Sequence, residues 1–176
     1  FEECIDTMAE FGVKIKFTGG ETADVGDLVK TLIVDSTVAC RPKRSEIIEV
    51  DIREDDVIVG FASFGQATYE SSYNAGTGSN GLTSGRHDLL AHHYHQKYPE
   101  SYDANTDEEY IYSGKFNVTD KLEGTPLDIG KALLSPTRTY APILHKSVEN
   151  EVLKSAIHGI IHCTGGAQTK VMKFLD

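Results

Sequence analysis

Three glycine-containing loops, each placed after an apolar run, constrain this sequence more than any other feature. They cover Thr18–Asp24 (TGGETAD), Gly76–Gly81 (GTGSNG) and Cys163–Ala167 (CTGGA). Glycine allows positive φ and a close approach of backbone amides, so such loops can hold phosphate oxygens. A helix pattern follows Gly76–Gly81, and the free N–H groups of a helix start add to an anion site. An ordinary turn is the alternative for each loop, since neither GxGxxG in a βαβ setting nor a P-loop occurs.

Apolar runs alternate with helix patterns along the chain, which predicts an α/β or α+β fold with a mixed sheet flanked by helices. The β-branched runs Val29–Ala39 and Val57–Ser63 are expected to be buried strands. Helices are expected over the opening residues up to Gly12, from about Gly85 to Tyr98, between Pro126 and Pro136, and over Ala141–Ala156.

Charge and cysteine usage exclude several classes of protein. The chain has 27 acidic and 17 basic residues, a net charge of −10. This balance argues against broad binding to nucleic acid or to anionic membranes. No stretch of the sequence approaches the roughly 18 apolar residues of a membrane span. The three scattered cysteines predict a reducing, cytoplasmic location, and Cys163 is expected to be a buried, inert thiol.

Two groups of side chains are candidates for chemistry. Glu21 and Asp24 lie beside glycines, where carboxylates can coordinate Mg²⁺ bridging nucleotide phosphates; capping or simple solvation is the alternative. Four histidines lie in the helix pattern Arg86–Tyr98, and Asp88 with His92 forms an i, i+4 pair that could share a metal. The HExxH spacing is absent, so a solvated helix face is the favoured interpretation, and a core or loop role is the simplest reading of His162.

Four segments in the same order carry a family resemblance. They are Phe17–Asp24 (FTGGETAD), Ser79–Gly81 (SNG), Leu133–Tyr140 (LLSPTRTY) and His158–Gly166 (HGIIHCTGG). These resemble the GGETAEMPG, SSGxHSNG, LLxPTRIY and HGxAHITGGG segments of the aminoimidazole ribonucleotide synthetase (phosphoribosylformylglycinamidine cyclo-ligase) family. The strand pattern DDVIVGFAS also precedes the second segment in family order.

The resemblance implies a dimeric, two-domain α/β enzyme that uses ATP and Mg²⁺ to close the imidazole ring of formylglycinamidine ribonucleotide in purine biosynthesis. Residues 1–46 would end the ATP-binding first domain, and residues 47–176 would begin the second. Because family members are considerably longer, the resemblance implies a central fragment that is inactive alone. Related scaffolds leave alternatives open: a formylglycinamidine ribonucleotide synthetase-like or selenophosphate synthetase-like enzyme, or a non-catalytic nucleotide-binding module.

The resemblance also implies site residues. The nucleotide would be held by Gly19, Gly20, Glu21, Thr22 and Asp24, with Glu21 on the metal. The nucleotide substrate would be held by Ser79, Asn80, Gly81, Arg138, Thr164, Gly165 and Gly166. The family histidine before Ser-Asn-Gly is Gly78 here, so no catalytic residue carries over, and His87 and His162 are speculative substitutes. Two further departures are Ala167, where the family has a third glycine, and an insertion over residues 97–120.

Overall fold

The computed structural model describes residues 1–27, 29 and 32–174, and the regular structure within them is helical. The chain forms two compact units. The first combines residues 1–58 with the segment that begins at Tyr140, and the second spans Val59–Thr139. The boundary expected at residue 46 stays a prediction about the two-domain parent scaffold.

The first unit contains three α-helices: α1 (Glu2–Glu10), α5 (Ala141–Glu149) and α6 (Glu151–Ser155). The predicted opening helix is confirmed and stops before Gly12, whose φ is +83°. A Cβ on Gly12 would lie 2.6 Å from His145 Nε2, so both the conformation and the space favour glycine. The helix predicted over Ala141–Ala156 is broken at Asn150, whose Oδ1 accepts hydrogen bonds from the first N–H groups of α6.

The second unit contains α2 (Leu82–Leu89), α3 (His93–Lys97) and α4 (Ile129–Leu133). Its core is built from five buried side chains: Leu90, Ile111, Tyr112, Ile129 and Leu133. The helix predicted from Gly85 to Tyr98 is interrupted because the backbone at Leu90 and Ala91 instead pairs, in parallel, with Phe116 and Gly114. The helix predicted before Pro136 is confirmed as α4, which Asp128 caps by accepting from Lys131 N at 2.7 Å.

The expected mixed sheet is not confirmed. Among the described residues, β-pairing is confined to four isolated bridges, and the first apolar run has its residues 30 and 31 outside the described part. The expectation that these runs are buried is wrong: Leu32 is 87% and Val57 is 84% exposed. β-Propensity reflects a fit to a pleated surface with neighbours, so a β-branched run with no paired strand stays extended and solvated.

Two further sequence expectations concern surface chemistry. Cys163 is exposed, so the expectation of a buried thiol is wrong; Cys4 and Cys40 are also free and exposed. Within the described residues, no helix combines the length and apolar character that crossing a bilayer requires.

Candidate functional site

The predicted nucleotide loop lies on the surface of the first unit. Residues 18–24 are exposed and form no regular secondary structure, and Gly19 has a φ of +124°, a conformation that only glycine adopts easily. Asp24 Oδ1 accepts from Gly26 N at 3.1 Å and so closes the loop with a local turn. Glu21 is exposed, which leaves its carboxylate accessible to a ligand. The nucleotide roles of Gly19, Gly20, Glu21, Thr22 and Asp24 stay predictions.

The HGIIHCTGG segment is anchored in the same unit at its first residue. His158 Nδ1 lies 2.8 Å from Asp56 Oδ1, and the Asp51 amide donates to the His158 carbonyl at 2.7 Å. The backbone N–H of Arg53, followed by His158, holds the pKa of Asp56 below its ordinary value because both stabilise the charged carboxylate. This histidine therefore fixes the start of the glycine segment by a long-range contact.

The glycine end of that segment has an unusual backbone. Gly165, Gly166 and Ala167 all have positive φ, of +57°, +85° and +45°. Lys170 Nζ donates to the His162 carbonyl at 3.0 Å and to the Thr164 carbonyl, which puts a positive charge beside the loop. These contacts hold the Lys170 ammonium on two carbonyls of the segment, so they stabilise its backbone. The substrate roles of Thr164, Gly165 and Gly166 and the catalytic role of exposed His162 stay predictions.

In the second unit, two of the resembling segments meet although they are far apart in sequence. The Gly78 amide donates to the Ser135 carbonyl at 3.4 Å, and Thr77 Oγ1 donates to the Ala132 carbonyl at 2.7 Å. Gly78 has a φ of +68°, and a Cβ there would lie 2.5 Å from Thr137 Oγ1. A histidine at position 78 would therefore need both a strained backbone and a displaced Thr137.

The Ser-Asn-Gly turn leads directly into α2, as the sequence pattern indicates. Ser79, Asn80 and Gly81 are exposed, and α2 begins at Leu82, three residues earlier than predicted. The turn thus places an exposed hydroxyl and an exposed amide side chain directly before the start of an eight-residue helix. These are donors suited to a phosphate-bearing ligand. Their role with substrate stays a prediction.

Arg138 holds the PTR segment against the loop before α2. Its guanidinium donates to Glu70 through Nε at 2.9 Å and Nη2 at 2.7 Å, and through Nη1 to the carbonyls of Ala62 and Phe64. Arg138 is 8% exposed. Hydrogen bonding to Arg138 is the main reason that the pKa of Glu70 lies below its ordinary value. Substrate binding by Arg138 stays a prediction, since these contacts show only its packing role.

Sequence reasoning missed Glu70, the buried partner of Arg138. A single acidic residue in the polar loop 64–82 gives no local signal of pairing with a cation 68 residues later. The same loop borders an open cleft of about 480 Å³ that also contacts the PTR segment. Tyr73 and Asn74 line one part of it, and Lys131 and Ser135 line another. The cleft is therefore bordered by the segments that Arg138 joins.

His87 is half-buried and makes a structural contact. Its Nδ1 accepts from the Tyr112 amide at 3.2 Å, which fixes the neutral ring with its hydrogen on Nε2. Burial, with a smaller contribution from the neighbouring Arg86 charge, lowers the pKa of His87 below its ordinary value. Its speculative catalytic role stays a prediction.

Of the other histidines in this pattern, His92 and His93 are exposed, as the favoured solvated face predicts, and His95 is half-buried. Asp88 does not meet His92 as a metal pair; its Oδ2 instead accepts from Ser84 Oγ at 2.9 Å. His92 lies against Glu108, with Nε2 3.6 Å from Oε1, and His95 is half-buried beside it. Glu108 lies within the insertion over residues 97–120, and nothing local in the sequence indicates its proximity to the histidines.

Comparison with known proteins adds a family relationship to this geometry. No protein-family model matches the chain. Three similar curated proteins, all described as phosphoribosylformylglycinamidine cyclo-ligase, come from Methanocaldococcus jannaschii, Methanococcus vannielii and Methanosarcina mazei. The first is 28% identical over 164 residues, the second 30% over 160 and the third 29% over 162, covering 90–92% of this chain. The chain is homologous to the cyclo-ligases.

This relationship confirms the resemblance carried by the four segments. Homology to cyclo-ligases also assigns the chain to the α/β class, although the described residues form no extended sheet. The chain spans only 35–37% of the length of these curated cyclo-ligase relatives. The homology therefore extends over just over a third of proteins described as phosphoribosylformylglycinamidine cyclo-ligase.

Proposed function

We propose that this chain contributes to the ATP-dependent closure of the imidazole ring of formylglycinamidine ribonucleotide, giving aminoimidazole ribonucleotide, ADP and phosphate. The observation that carries the proposal is the contact between the Ser-Asn-Gly loop and the PTR segment. Gly78 and Ser135 are joined by a backbone hydrogen bond across 57 positions of the sequence. Two segments that resemble the cyclo-ligases at separate places in the chain thus form one surface.

The chemistry of ring closure explains why such a surface needs donors more than a nucleophile. The amide oxygen of the substrate is a poor leaving group until it is phosphorylated by ATP, after which the neighbouring amidine nitrogen displaces phosphate. Phosphoryl transfer depends mainly on positioning and on stabilising negative charge. Ser79, Asn80 and the start of α2 would orient the phosphate-bearing substrate, with Arg138 keeping the adjoining segment fixed.

The loop of the first unit fits a nucleotide with its metal ion. Gly19 holds a backbone conformation open to glycine, and Glu21 offers exposed carboxylate oxygens, which are the ligands that Mg²⁺ prefers. Mg²⁺ would neutralise the charge that develops on the transferred phosphoryl group. Gly20, Thr22 and Asp24 would support the loop, and the positive-φ run Gly165–Ala167 offers further anion-binding amides.

Genetic complementation tests the function, using the complete gene in which this sequence occurs, in a purine auxotroph that lacks cyclo-ligase. Growth without purine supports the proposal, whereas failure despite abundant folded protein contradicts it. Glu21→Gln should abolish growth while Glu49→Gln, a change at another exposed glutamate of the same unit, should not. Equal growth of both variants would remove Glu21 from the metal site.

Two further expectations follow from the proposal, one for the 176 residues alone and one for the active protein. Because the chain matches little more than a third of its relatives, we expect the purified chain to release no phosphate from ATP with substrate present. A homodimer is expected of the active protein, and light scattering coupled to size-exclusion chromatography measures this directly. Phosphate release by the isolated chain would contradict its expected inactivity. A strictly monomeric active protein would contradict the expected homodimer.

Gly78 favours one alternative function, a non-catalytic nucleotide-binding module. The cyclo-ligase pattern has a histidine there, and the left-handed backbone with Thr137 nearby disfavours that side chain. A module of this kind would bind ATP without turnover and would not rescue the auxotroph. Rescue by another reaction of the same scaffold, such as that of formylglycinamidine ribonucleotide synthetase or selenophosphate synthetase, would instead support a related enzyme.

A further inference from the structure

Two imidazoles and one carboxylate converge in the second unit, on residues outside the segments that resemble the cyclo-ligases. His92 directly precedes α3, His95 lies one turn along it, and Glu108 begins the short 3₁₀ turn Glu108–Tyr110. One ligand atom from each lies within 4.8 Å of the other two. The i, i+3 spacing puts both histidines on one side of the helix, and the chain returns Glu108 to that side.

His92 is already oriented as a metal ligand. Its Nδ1 lies 3.1 Å from the carbonyl oxygen of Ile111, a core residue that is 3% exposed. A carbonyl only accepts hydrogen bonds, so the hydrogen of the neutral ring is on Nδ1 and the lone pair is on Nε2. This Nε2 is the atom 3.6 Å from Glu108 Oε1. Metal-bound histidines are typically held in this way, by a hydrogen bond from the second ring nitrogen to a carbonyl.

His95 supplies the second, independent observation. Its Nδ1 is buried and has no hydrogen-bond partner among the described residues. Its ring stacks on His92, with centroids 4.8 Å apart and planes at 21°, and Tyr102 lies 5.7 Å away on another side. Buried polar atoms normally have partners, so an orphaned ring nitrogen needs an explanation. A cation bound at this nitrogen would supply the missing partner.

We propose that His92, His95 and Glu108 bind a transition-metal ion of the Zn²⁺ class. Imidazole favours Zn²⁺ over the oxygen-seeking Mg²⁺, and two histidines with one glutamate make a three-ligand set with an open fourth position. Bonds of 2.0–2.2 Å in a tetrahedral site bring ligand atoms to about 3.3 Å from one another. The Glu108 side chain is 73% exposed, so it can rotate towards the histidines to close the remaining distance.

The ion would join α3 to the turn at Glu108 and so fix the intervening polar insertion. Residues 98–107 contain one short 3₁₀ turn, Pro99–Ser101, and are mostly exposed. Metal ligation across such a loop stabilises the folded state because the unfolded chain has no preformed site. This site shares no residue with the Mg²⁺ site expected at Glu21, and it does not depend on the proposed ring-closing activity.

Direct titration of the tag-free full chain with Zn²⁺ and Co²⁺ tests the site. The three exposed cysteines are first replaced by serine, since thiolates also bind these ions. One equivalent of Zn²⁺ is expected by calorimetry, and Co²⁺ should show the intense visible absorption of a four-coordinate site. Millimolar Mg²⁺ should not displace either ion. No saturable binding would overturn the proposal and leave only a His92–Glu108 ion pair.

Single variants identify the ligands. His92→Ala, His95→Ala and Glu108→Gln should each weaken Zn²⁺ affinity by at least about tenfold. His93→Ala, a change at the neighbouring exposed histidine of α3, is the matched control and should leave affinity unchanged. Equal losses in His93→Ala and His92→Ala would overturn the assignment. Because Glu108 is largely exposed, Glu108→Gln should fold and tests the site even if a histidine variant does not fold. Unchanged Zn²⁺ affinity of Glu108→Gln would overturn the assignment of Glu108 as a ligand.

Discussion

Arg138 and Glu70 form a two-point ion pair in which the exposed fraction of each side chain is small, 7% and 14%. The two nitrogen–oxygen distances are 2.9 and 2.7 Å, and the remaining guanidinium nitrogen donates to two backbone carbonyls. Removing one partner of a buried pair leaves the other charge without compensation. Arg138→Lys keeps the charge but cannot reproduce this planar fork of donors.

We therefore expect Glu70→Gln to lower the free energy of unfolding by about 3 kcal/mol, with Arg138→Lys losing a similar amount. Urea unfolding followed by tyrosine fluorescence measures this, because the chain has eight tyrosines and no tryptophan. Arg53→Lys is the control: its pair with Asp51 is exposed, so no measurable change is expected. Equal stabilities of wild type and Glu70→Gln would contradict the buried pair.

Gly78 allows the Ser-Asn-Gly loop to approach the PTR segment. We expect Gly78→Ala to destabilise the protein by about 1–2 kcal/mol, because alanine at φ +68° is strained and its Cβ meets Thr137 Oγ1. Thermal unfolding of Gly78→Ala beside Gly60→Ala measures the difference. A Cβ at Gly60 meets no atom of the described structure within 4 Å, so that variant should change little. A larger loss in Gly60→Ala would show that the close approach is unimportant.

The lowered pKa of the His87 imidazole makes the stability of the protein depend on pH. Its folded-state pKa is lowered by burial, so the unfolded chain takes up a proton at a higher pH than the folded one. The stability that neutral His87 contributes to the folded protein is fully present above its pKa in the unfolded chain, about 6.5. It is lost as the pH falls from there through the lower pKa of the folded state. Stability should therefore decrease on acidification from pH 7.5 to 5.5, roughly the range of histidine titration.

The variant His87→Asn separates this effect from that of the other six histidines. Asparagine retains an acceptor for the Tyr112 amide but does not titrate, so the decrease in melting temperature over this range should be smaller than in wild type. His93→Asn, at an exposed position, should retain the wild-type pH profile. Identical profiles for His87→Asn and wild type would rule out His87 as a source of the acid sensitivity.

Ala167 occupies a left-handed position where the cyclo-ligase pattern has glycine. Ala167 has a φ of +45°, which strains an alanine backbone. We therefore expect Ala167→Gly to raise the free energy of unfolding by about 0.5–1 kcal/mol. The opposite sign is expected for Ala156→Gly, since Ala156 ends α6 with an ordinary φ of −93°. Differential scanning calorimetry compares the two variants, and a loss of stability in Ala167→Gly would show that no strain is stored there.

Local chemistry predicted the helices of this chain better than its long-range pairing. The glycine after α1 and Pro136 after α4 act within a turn of the backbone, so their effects are visible in sequence. The break between α2 and α3 depends on bridges from Leu90 and Ala91 to residues more than 20 positions away. The apolar run near Leu32 has strong β-propensity, but propensity does not supply a neighbouring strand.

In the candidate site, too, local features were predicted from the sequence and long-range contacts were not. The glycine loops were recognisable because glycine permits close backbone approach, and the PTR segment because it resembles a segment of the cyclo-ligases. Glu70 was not, since its meaning depends on a guanidinium 68 positions later. Glu108 was hidden for the same reason: its proximity to His92 arises from the course of the insertion between them.

The four donor contacts of Arg138 also set an order of events during synthesis. The ribosome makes the chain from its amino end, so Ala62, Phe64 and Glu70 emerge well before their common partner at position 138. Contacts of such high sequence separation form slowly because a long loop must close first. The second unit consequently completes its polar interior only after nearly all of its residues have been translated, and a nascent chain stopped short of Arg138 leaves the Glu70 carboxylate without its ion-pair partner.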